Sequence, residues 1–270
     1  MKFLRVFAVM ALSLAVGATG EAWGQGKKGK KAAPATGKEA RMETPAPGTI
    51  VVWSDLACPW SHVAVARLHR VRAELELVDD VVLDHRAFPL EVLNERGTPK
   101  PILDAEIPVA GALEPGAGWQ MWRRPEWQYA GTVLLALEAV QAAKEQSLRA
   151  SEALDRALRV ALFGRSRPIG LRHVVLDVAG SCPEVDAGVL AKALDAGTAR
   201  RTLMDQAEKA ATDGVQGSPH LFLPDGTDAH NPGVELHWEG EKGRGFPVID
   251  ADDPSVYGDL LRRAAVPAGG

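Results

Sequence analysis

Cysteine is scarce in this sequence: 270 residues include only two, Cys58 and Cys182. Two cysteines cannot form the set of disulfides that holds small secreted domains together, and neither lies in a C-x-x-C motif or near a paired histidine. A disulfide scaffold is therefore excluded, and no metal site is expected.

The sequence also lacks long apolar runs and an overall excess of basic residues. No run approaches the 18 apolar residues that argue for a transmembrane helix, so no transmembrane segment is predicted. The net charge is −4, and residues 1–41 contribute +6 through eight Lys and Arg against two Glu, which leaves −10 for residues 42–270. Such an acidic body does not favour nucleic-acid binding, because phosphate neutralisation needs clustered Lys and Arg. Phosphate-loop, Gly-x-Ser-x-Gly and His-Glu-x-x-His motifs are absent as well.

The first 48 residues differ from the rest of the chain. A basic start, an apolar stretch from Val6 to Ala18 and small residues after it predict a signal peptide over residues 1–23. Residues 24–48 are rich in Lys, Gly, Pro and Ala, which predicts a flexible linker. The expected location is therefore secreted or periplasmic. The alternative is a cytoplasmic protein whose translation starts at Met42.

Residue patterns predict an α/β fold for the remainder. A β-branched run at Thr49–Asp55 predicts a strand, helical spacing follows from Cys58 to Leu75, and Val81–Ala87 predicts a second, parallel strand. Mostly helical patterns occupy residues 113–205. His220–Leu223 and Gly233–Trp238 predict a β-hairpin with a long connection, before a final helix that opens at Asp253-Pro254.

Cys58 is the first candidate for chemistry, because it lies between a predicted strand and a helix start in the string Cys58-Pro59-Trp60-Ser61-His62. Unpaired N–H groups at a helix start favour an anion, so a thiol there is expected to ionise more readily than a free one. Pro59 suits the first helical turn, and Ser61 can donate a hydrogen bond to the thiolate. The alternative is a small core cysteine without reactivity.

These features together resemble the thioredoxin fold (β-α-β, then β-β-α) with a helical insertion, and in particular the DsbA-like family that includes FrnE-type oxidoreductases. The resemblance covers roughly residues 48–265 and rests on the strand followed by C-P-W-x, on Phe88-Pro89-Leu90, on Ser166-Arg167-Pro168-Ile169 and on Gly214 to Phe222. It implies a thioredoxin-fold part over 49–112, an insertion over 113–205 and a second thioredoxin-fold part over 206–265. It also implies a cis-proline at Pro219 beside Cys58, with the Ser218 backbone available to an extended substrate.

The sequence departs from that family at one decisive position, since Ser61 replaces the second cysteine of C-x-x-C. The C-P-W-S string lies between C-P-W-C and the S-P-Y-S of the related kappa-class glutathione transferases and 2-hydroxychromene-2-carboxylate isomerases. Without a second thiol, Cys58 attacking a disulfide gives a mixed disulfide that only an outside thiol can release. Cys182 lies in a Ser-Cys-Pro loop between insertion helices and is expected to be structural or incidental.

The leading hypothesis is a monothiol thiol-disulfide oxidoreductase that acts on disulfide or mixed-disulfide substrates, with glutathione or another small thiol as co-substrate and no permanently bound cofactor. Its predicted catalytic residues are Cys58 and Ser61, and Pro59, Trp60, Ser218 and Pro219 are predicted to bind substrate. Trp60 is expected to be exposed near the sulfur, and His62 and His220 are candidates for tuning the thiol. Two alternatives are a glutathione-dependent transferase or isomerase and a non-catalytic binding module.

Overall fold

A computed structural model describes residues 44–212 and 214–265. The predicted signal peptide over residues 1–23 lies outside the described residues, as does most of the predicted linker. Within the described ranges, no helix combines the length and the apolar character needed to cross a membrane.

The central sheet confirms the predicted fold class. Strand β1 (Thr49–Ser54) pairs in parallel with β2 (Val82–Ala87), and helix α1 (Pro59–Glu74) connects them. Strand β3 (His220–Phe222) lies antiparallel on the other side of β1 and pairs in turn with β4 (Asp228–His230), which gives the order β2-β1-β3-β4. The last helix, α9 (Val256–Ala265), packs on α1 and β1 around an aliphatic core.

The predicted hairpin between His220–Leu223 and Gly233–Trp238 is wrong. The Pro224-Asp225-Gly226 turn is tight: Gly226 has φ +82° and donates to the Leu223 carbonyl, so β3 pairs with the residues directly after the turn. The chain turns again before Val234, and β5 (Val234–Glu239) pairs with β6 (Phe246–Asp252) in a separate antiparallel sheet. We refer to β5, β6 and their connection as the β5–β6 hairpin.

The helices between β2 and β3 begin before residue 113 and continue past residue 205. Their bounds are α2 Leu90–Leu93, α3 Lys100–Leu113, α4 Leu134–Ala143, α5 Leu148–Arg159, α6 Arg172–Ala179, α7 Ala187–Ala196 and α8 Arg200–Thr212. A π-helical turn, Val160–Gly164, extends α5. The apolar faces of these helices form one buried cluster that also includes Leu56 and Ala87 from the sheet side, so the helical region packs directly against the strand ends.

Buried polar contacts join the helical region to the sheet at two points. Arg159 of α5 is fully buried; it pairs with Asp155 and donates to the Ser54 hydroxyl at 2.7 Å and the Asp55 carbonyl at 3.0 Å. Glu152, two turns earlier, pairs with Arg72 of α1 and accepts from the Leu83 amide at 3.0 Å. Helix α5 thereby fixes the segment that leads from β1 into α1.

Candidate active site

The segment between β1 and α1 positions Cys58 at the N-cap of the helix. Cys58 is extended (φ −86°, ψ 114°), its carbonyl accepts the first helical hydrogen bond from the His62 amide, and Pro59 occupies the first helical turn, where no amide hydrogen is needed. The Asp55 carboxylate holds the preceding turn by accepting from the amides of Ala57 at 2.6 Å and Leu90 at 2.9 Å. The helix start and the Asp55 carboxylate together fix where the thiol lies.

The loop before β3 supplies the other half of the site. The Cys58 thiol donates to the Ser218 carbonyl at 3.1 Å, and the Ser218–Pro219 peptide bond is cis. The Ser61 and Ser218 hydroxyls lie 2.6 Å apart, and the Ser218 hydroxyl accepts from the Asp55 amide at 2.9 Å. The structure therefore brings Cys58 and Ser61 together with Ser218 and Pro219, two pairs that lie more than 150 residues apart in sequence.

An apolar cluster covers the thiol. Cys58 and Trp60 are only 6% and 9% exposed, and they pack with Val63, Ala110 and Val234. The last of these residues begins the β5–β6 hairpin, so α3 and the hairpin enclose the start of α1. The expected exposure of Trp60 is wrong, because the hairpin lies over the side of the helix that would otherwise face solvent.

Burial also reverses the expected ionisation of Cys58. Loss of solvent raises the pKa of the thiol above its usual value, and the nearby Glu106 carboxyl raises it further. Hydrogen bonds from Ser61 and Ser218 act in the opposite direction and lower it, without compensating for burial. The prediction of a readily ionised thiol is therefore wrong for this closed arrangement, in which Cys58 is a protonated donor at neutral pH.

Glu106 is a site residue that the sequence interpretation missed. It lies on α3, is 4% exposed, and its side chain interacts with Trp60 and with Lys242, whose ammonium lies 3.9 Å away. Burial raises the pKa of this carboxyl, with the Lys242 charge opposing that shift. A usable signal was present: Glu106 occupies the apolar face of α3, between Leu103 and Ala110.

Within the described residues, neither candidate histidine ring makes a hydrogen bond with the Cys58 thiol. His62 is packed between the rings of Trp119 (centroid distance 4.5 Å) and Phe163 (5.0 Å), and burial lowers its pKa to about 3. His220 accepts from the Gln216 amide and pairs with Asp228 at 2.8 Å, and burial again lowers its pKa. Both rings therefore support the loops of the site and remain neutral at physiological pH.

Cys182 belongs to a different part of the molecule. Both cysteines are free thiols, and Cys182 lies between α6 and α7, in the large apolar cluster of the helical region. Its thiol has sulfur contacts with the Val178 carbonyl at 3.5 Å and the Ala153 carbonyl at 3.9 Å. Across residues 44–212 and 214–265, no group of three or more His, Cys, Asp or Glu side chains is arranged to hold a metal ion.

Comparison with known proteins identifies the family. Residues 49–238 match the DSBA-like thioredoxin domain. Among solved structures, a probable DsbA oxidoreductase from Streptomyces coelicolor is 22% identical, with a TM-score of 0.55 over 80% of this chain and 89% of that one. The cytosolic disulfide reductase DsbM from Pseudomonas aeruginosa is 16% identical, with a TM-score of 0.52 over 80% and 95%. No curated protein matches the chain.

A second structure of DsbM, determined with GSH, gives a similar result, with 15% identity and a TM-score of 0.51 over 80% of this chain and 96% of that one. At these identities the structural likeness establishes the fold, whereas the sequence match over residues 49–238 establishes the family. The cysteine at the start of α1 and the proline before β3 lie within that match. The chain belongs to the DSBA-like thioredoxin domain family.

Proposed function

We propose that this protein is a monothiol thiol-disulfide oxidoreductase in which Cys58 is the only reacting cysteine. The observation that carries the proposal is the contact between the Cys58 thiol and the Ser218 carbonyl at 3.1 Å, with a hydroxyl, Ser61, where a second thiol would be needed for a local disulfide. The half-buried Ser218 offers its backbone beside the sulfur, so an extended disulfide-bearing segment can dock there.

The proposed reaction has two exchanges. The Cys58 thiol loses its proton and attacks the glutathione sulfur of a mixed disulfide; the substrate thiolate leaves and is protonated, and Cys58 becomes glutathionylated. A second glutathione, as thiolate, attacks the glutathione sulfur of that adduct, which releases oxidised glutathione and restores Cys58. The net reaction is RSSG + GSH → RSH + GSSG: one free glutathione is consumed, the substrate thiol is released reduced, and oxidised glutathione carries the disulfide away.

Within this scheme, Ser61 and Glu106 act on the thiol in opposite directions. The Ser61 hydroxyl stabilises negative charge on sulfur, whereas the Glu106 carboxylate opposes it. A thiol held protonated in this way reacts slowly until the substrate displaces the Ser218 contact or the covering hairpin. The Ser218 contact and the covering hairpin therefore account for both a slow reaction of Cys58 without substrate and a faster one with substrate docked.

The decisive experiment measures reduction of a glutathionylated peptide by glutathione, with oxidised glutathione followed through glutathione reductase. We expect Cys58→Ser to lower the enzyme-dependent rate at least about 100-fold, because no other thiol lies in the site. Cys182→Ser is the matched control and should retain the rate within about twofold. Equal rates for Cys58→Ser and the parent protein would overturn the proposal.

The protonated state of Cys58 favours a second candidate, a glutathione-dependent transferase or isomerase. In that case the Cys58 thiol donates a hydrogen bond to the sulfur of bound glutathione thiolate, as it now donates to the Ser218 carbonyl. Cys58→Ser keeps a donor at this position. Turnover of an electrophile by glutathione that survives in Cys58→Ser, together with no mixed-disulfide reduction by the parent, would select this candidate.

The cellular location follows from the N-terminal prediction and is proposed on that basis as secreted or periplasmic. Mass spectrometry of the protein isolated from its producing cells tests this: a mature chain starting shortly after residue 23 supports export. A chain beginning at Met42 supports the cytoplasmic alternative.

A further inference from the structure

A cavity lined with arginine lies away from the Cys58 site, between α1, α5, α6 and the loop from α6 to α7. Its volume is about 430 Å³, which is in the range of small-molecule sites. None of Cys58, Ser61 and Ser218 lines it, whereas Cys182 does. The reaction proposed above makes no use of this cavity.

Positive charge is in excess around the cavity. Five guanidinium groups line it, from Arg72, Arg149, Arg156, Arg165 and Arg167, against two carboxylates, Glu152 and Glu184. Arg72 is paired with Glu152, and Arg167 with Asp177. Arg149, Arg156 and Arg165 have no carboxylate within ion-pair distance in the described chain, although Arg149 donates to the Val78 carbonyl.

This concentration of positive charge contrasts with the net charge of the whole chain, which is −4. Like charges held around one concave space repel one another, and their mutual repulsion is relieved when an anion binds between them. The neutral His69 ring adds no charge, since burial lowers its pKa to about 3.

The cavity wall includes His69, which packs against Arg72. Its side chain is nine-tenths buried in the cavity wall, and its Nδ1 accepts a hydrogen bond from Arg72 at 3.3 Å. The hydrogen of the neutral ring is therefore on Nε2, which has no hydrogen-bond partner, and the Nε of Arg72 has none either. Both nitrogens are inaccessible to solvent, so the positive charge that a ligand in the cavity would meet comes from the arginines that line it.

We propose that the cavity binds a small anion carrying at least two carboxylate or phosphate groups. Guanidinium groups bind both kinds of oxyanion through paired N–H donors, so three arginines without a carboxylate partner around one cavity match a multiply charged ligand better than a single chloride. The half-buried Arg149, which also donates to the Val78 carbonyl, receives one anionic group. Arg156 and Arg165, exposed at the rim, receive another.

Calorimetric titration of the full-length reduced protein tests the proposal, with citrate as the carboxylate probe and pyrophosphate as the phosphate probe, at constant ionic strength. We expect a Kd below about 1 mM for at least one of them. The tighter probe assigns the group that the ligand carries. Absence of binding by both probes up to about 10 mM would overturn the proposal.

Paired variants separate a built site from general charge attraction. Arg156→Gln with Arg165→Gln should weaken binding at least about tenfold, whereas Arg244→Gln with Arg262→Gln removes the same charge at exposed positions elsewhere and should leave the Kd within about twofold. Equal weakening in the two double variants would contradict the proposal.

Cys182 gives a second readout, because it lines the cavity. Saturating ligand should slow alkylation of Cys182 at least about threefold while leaving Cys58 unaffected, as measured by peptide mass spectrometry of both positions. Binding without any protection of Cys182 would place the anion elsewhere and would overturn the assignment to this cavity.

Discussion

Helix α5 lies between two regions that each contain a cysteine and an arginine of this helix. The arginine is ion-paired in one region and has no carboxylate partner in the other. On one side, Arg159 is fully buried, neutralised by Asp155 and bonded to the segment that leads to Cys58. On the other, Arg156 has no carboxylate partner in the described chain and faces the cavity that Cys182 lines. Arg159, which has a carboxylate partner, thus lies only three residues after Arg156, which has none.

The difference shows what each region is built to hold. Around Cys58, three polar groups are matched within the protein: the thiol by the Ser218 carbonyl, the Ser61 hydroxyl by that of Ser218, and the Asp55 carboxylate by two amides. Around Cys182, five guanidinium groups face only two carboxylates. Polar groups that are paired within the protein suit a reaction that is controlled by burial. An excess of positive charge suits the binding of an anionic ligand.

The largest expected effect concerns the two arginines of α5. Arg159→Leu leaves Asp155 as a buried charge without its main partner and should lower the free energy of unfolding by about 3–5 kcal/mol. Arg156→Leu removes an exposed charge and should change it by no more than about 0.5 kcal/mol. Urea unfolding followed by tryptophan fluorescence measures both. Similar losses in the two variants would mean that the two sides of α5 do not differ as described.

The second prediction restores the missing thiol. Ser61→Cys places a cysteine within one helical turn of Cys58, at a position where the native hydroxyl already contributes to the pKa of the Cys58 thiol. Under a glutathione redox buffer, most of this variant should form an internal disulfide, lose two reactive thiols and gain insulin-reductase activity at least about tenfold.

Its matched control places the new thiol elsewhere. Ser181→Cys, next to Cys182, should form no disulfide with Cys58 and should gain no insulin-reductase activity. Thiol counting and intact mass under denaturing conditions report both outcomes. If Ser61→Cys kept all of its thiols free in the oxidising buffer, the side chain of residue 61 would not reach Cys58.

Sequence patterns were sufficient for features that depend on neighbours along the chain. The β-branched run of β1, the helix starting at Pro59 and the parallel return at Val82 all follow local periodicity. The missing second thiol at Ser61 is likewise visible in one motif. Contacts between distant segments were not predictable in this way. These contacts determine the burial and the ionisation of the Cys58 thiol.

The β5–β6 hairpin illustrates the limit. Its strand Val234–Glu239 was recognised, but its partner is Phe246–Asp252 rather than the strand at His220, because tight turns on each side changed the pairing. Once the hairpin lies over Trp60, burial outweighs the helix-start effect on the Cys58 thiol. One wrong pairing therefore also accounts for the wrong prediction of an exposed Trp60 and an ionised thiol.

The third prediction removes the charge that opposes ionisation. Glu106→Gln keeps the shape and an acceptor oxygen for Trp60, and should lower the pKa of the Cys58 thiol because an ionised carboxyl no longer repels the thiolate. Alkylation of Cys58 at pH 8 should become roughly fivefold faster, with its pH profile moved to lower pH. Asp104→Asn, half-buried on the same helix and paired with Lys100, is the control and should leave the profile unchanged. A profile that moves to higher pH in Glu106→Gln would contradict the electrostatic argument.

The smallest effect comes from the hydroxyl that replaces the second thiol. Ser61→Ala removes a hydrogen bond that lowers the pKa of the Cys58 thiol, so the pKa should rise and alkylation at pH 8 should slow by about threefold. Cys182, alkylated in the same molecule, is the internal reference, because its pKa is set by burial and by Glu184 and Ser181 rather than by Ser61. A slower Cys58 beside an unchanged Cys182 would show that Ser61 acts on the sulfur directly. Equal slowing of both thiols would instead indicate a general tightening of the fold, and the difference between the two cysteine environments would then not depend on Ser61.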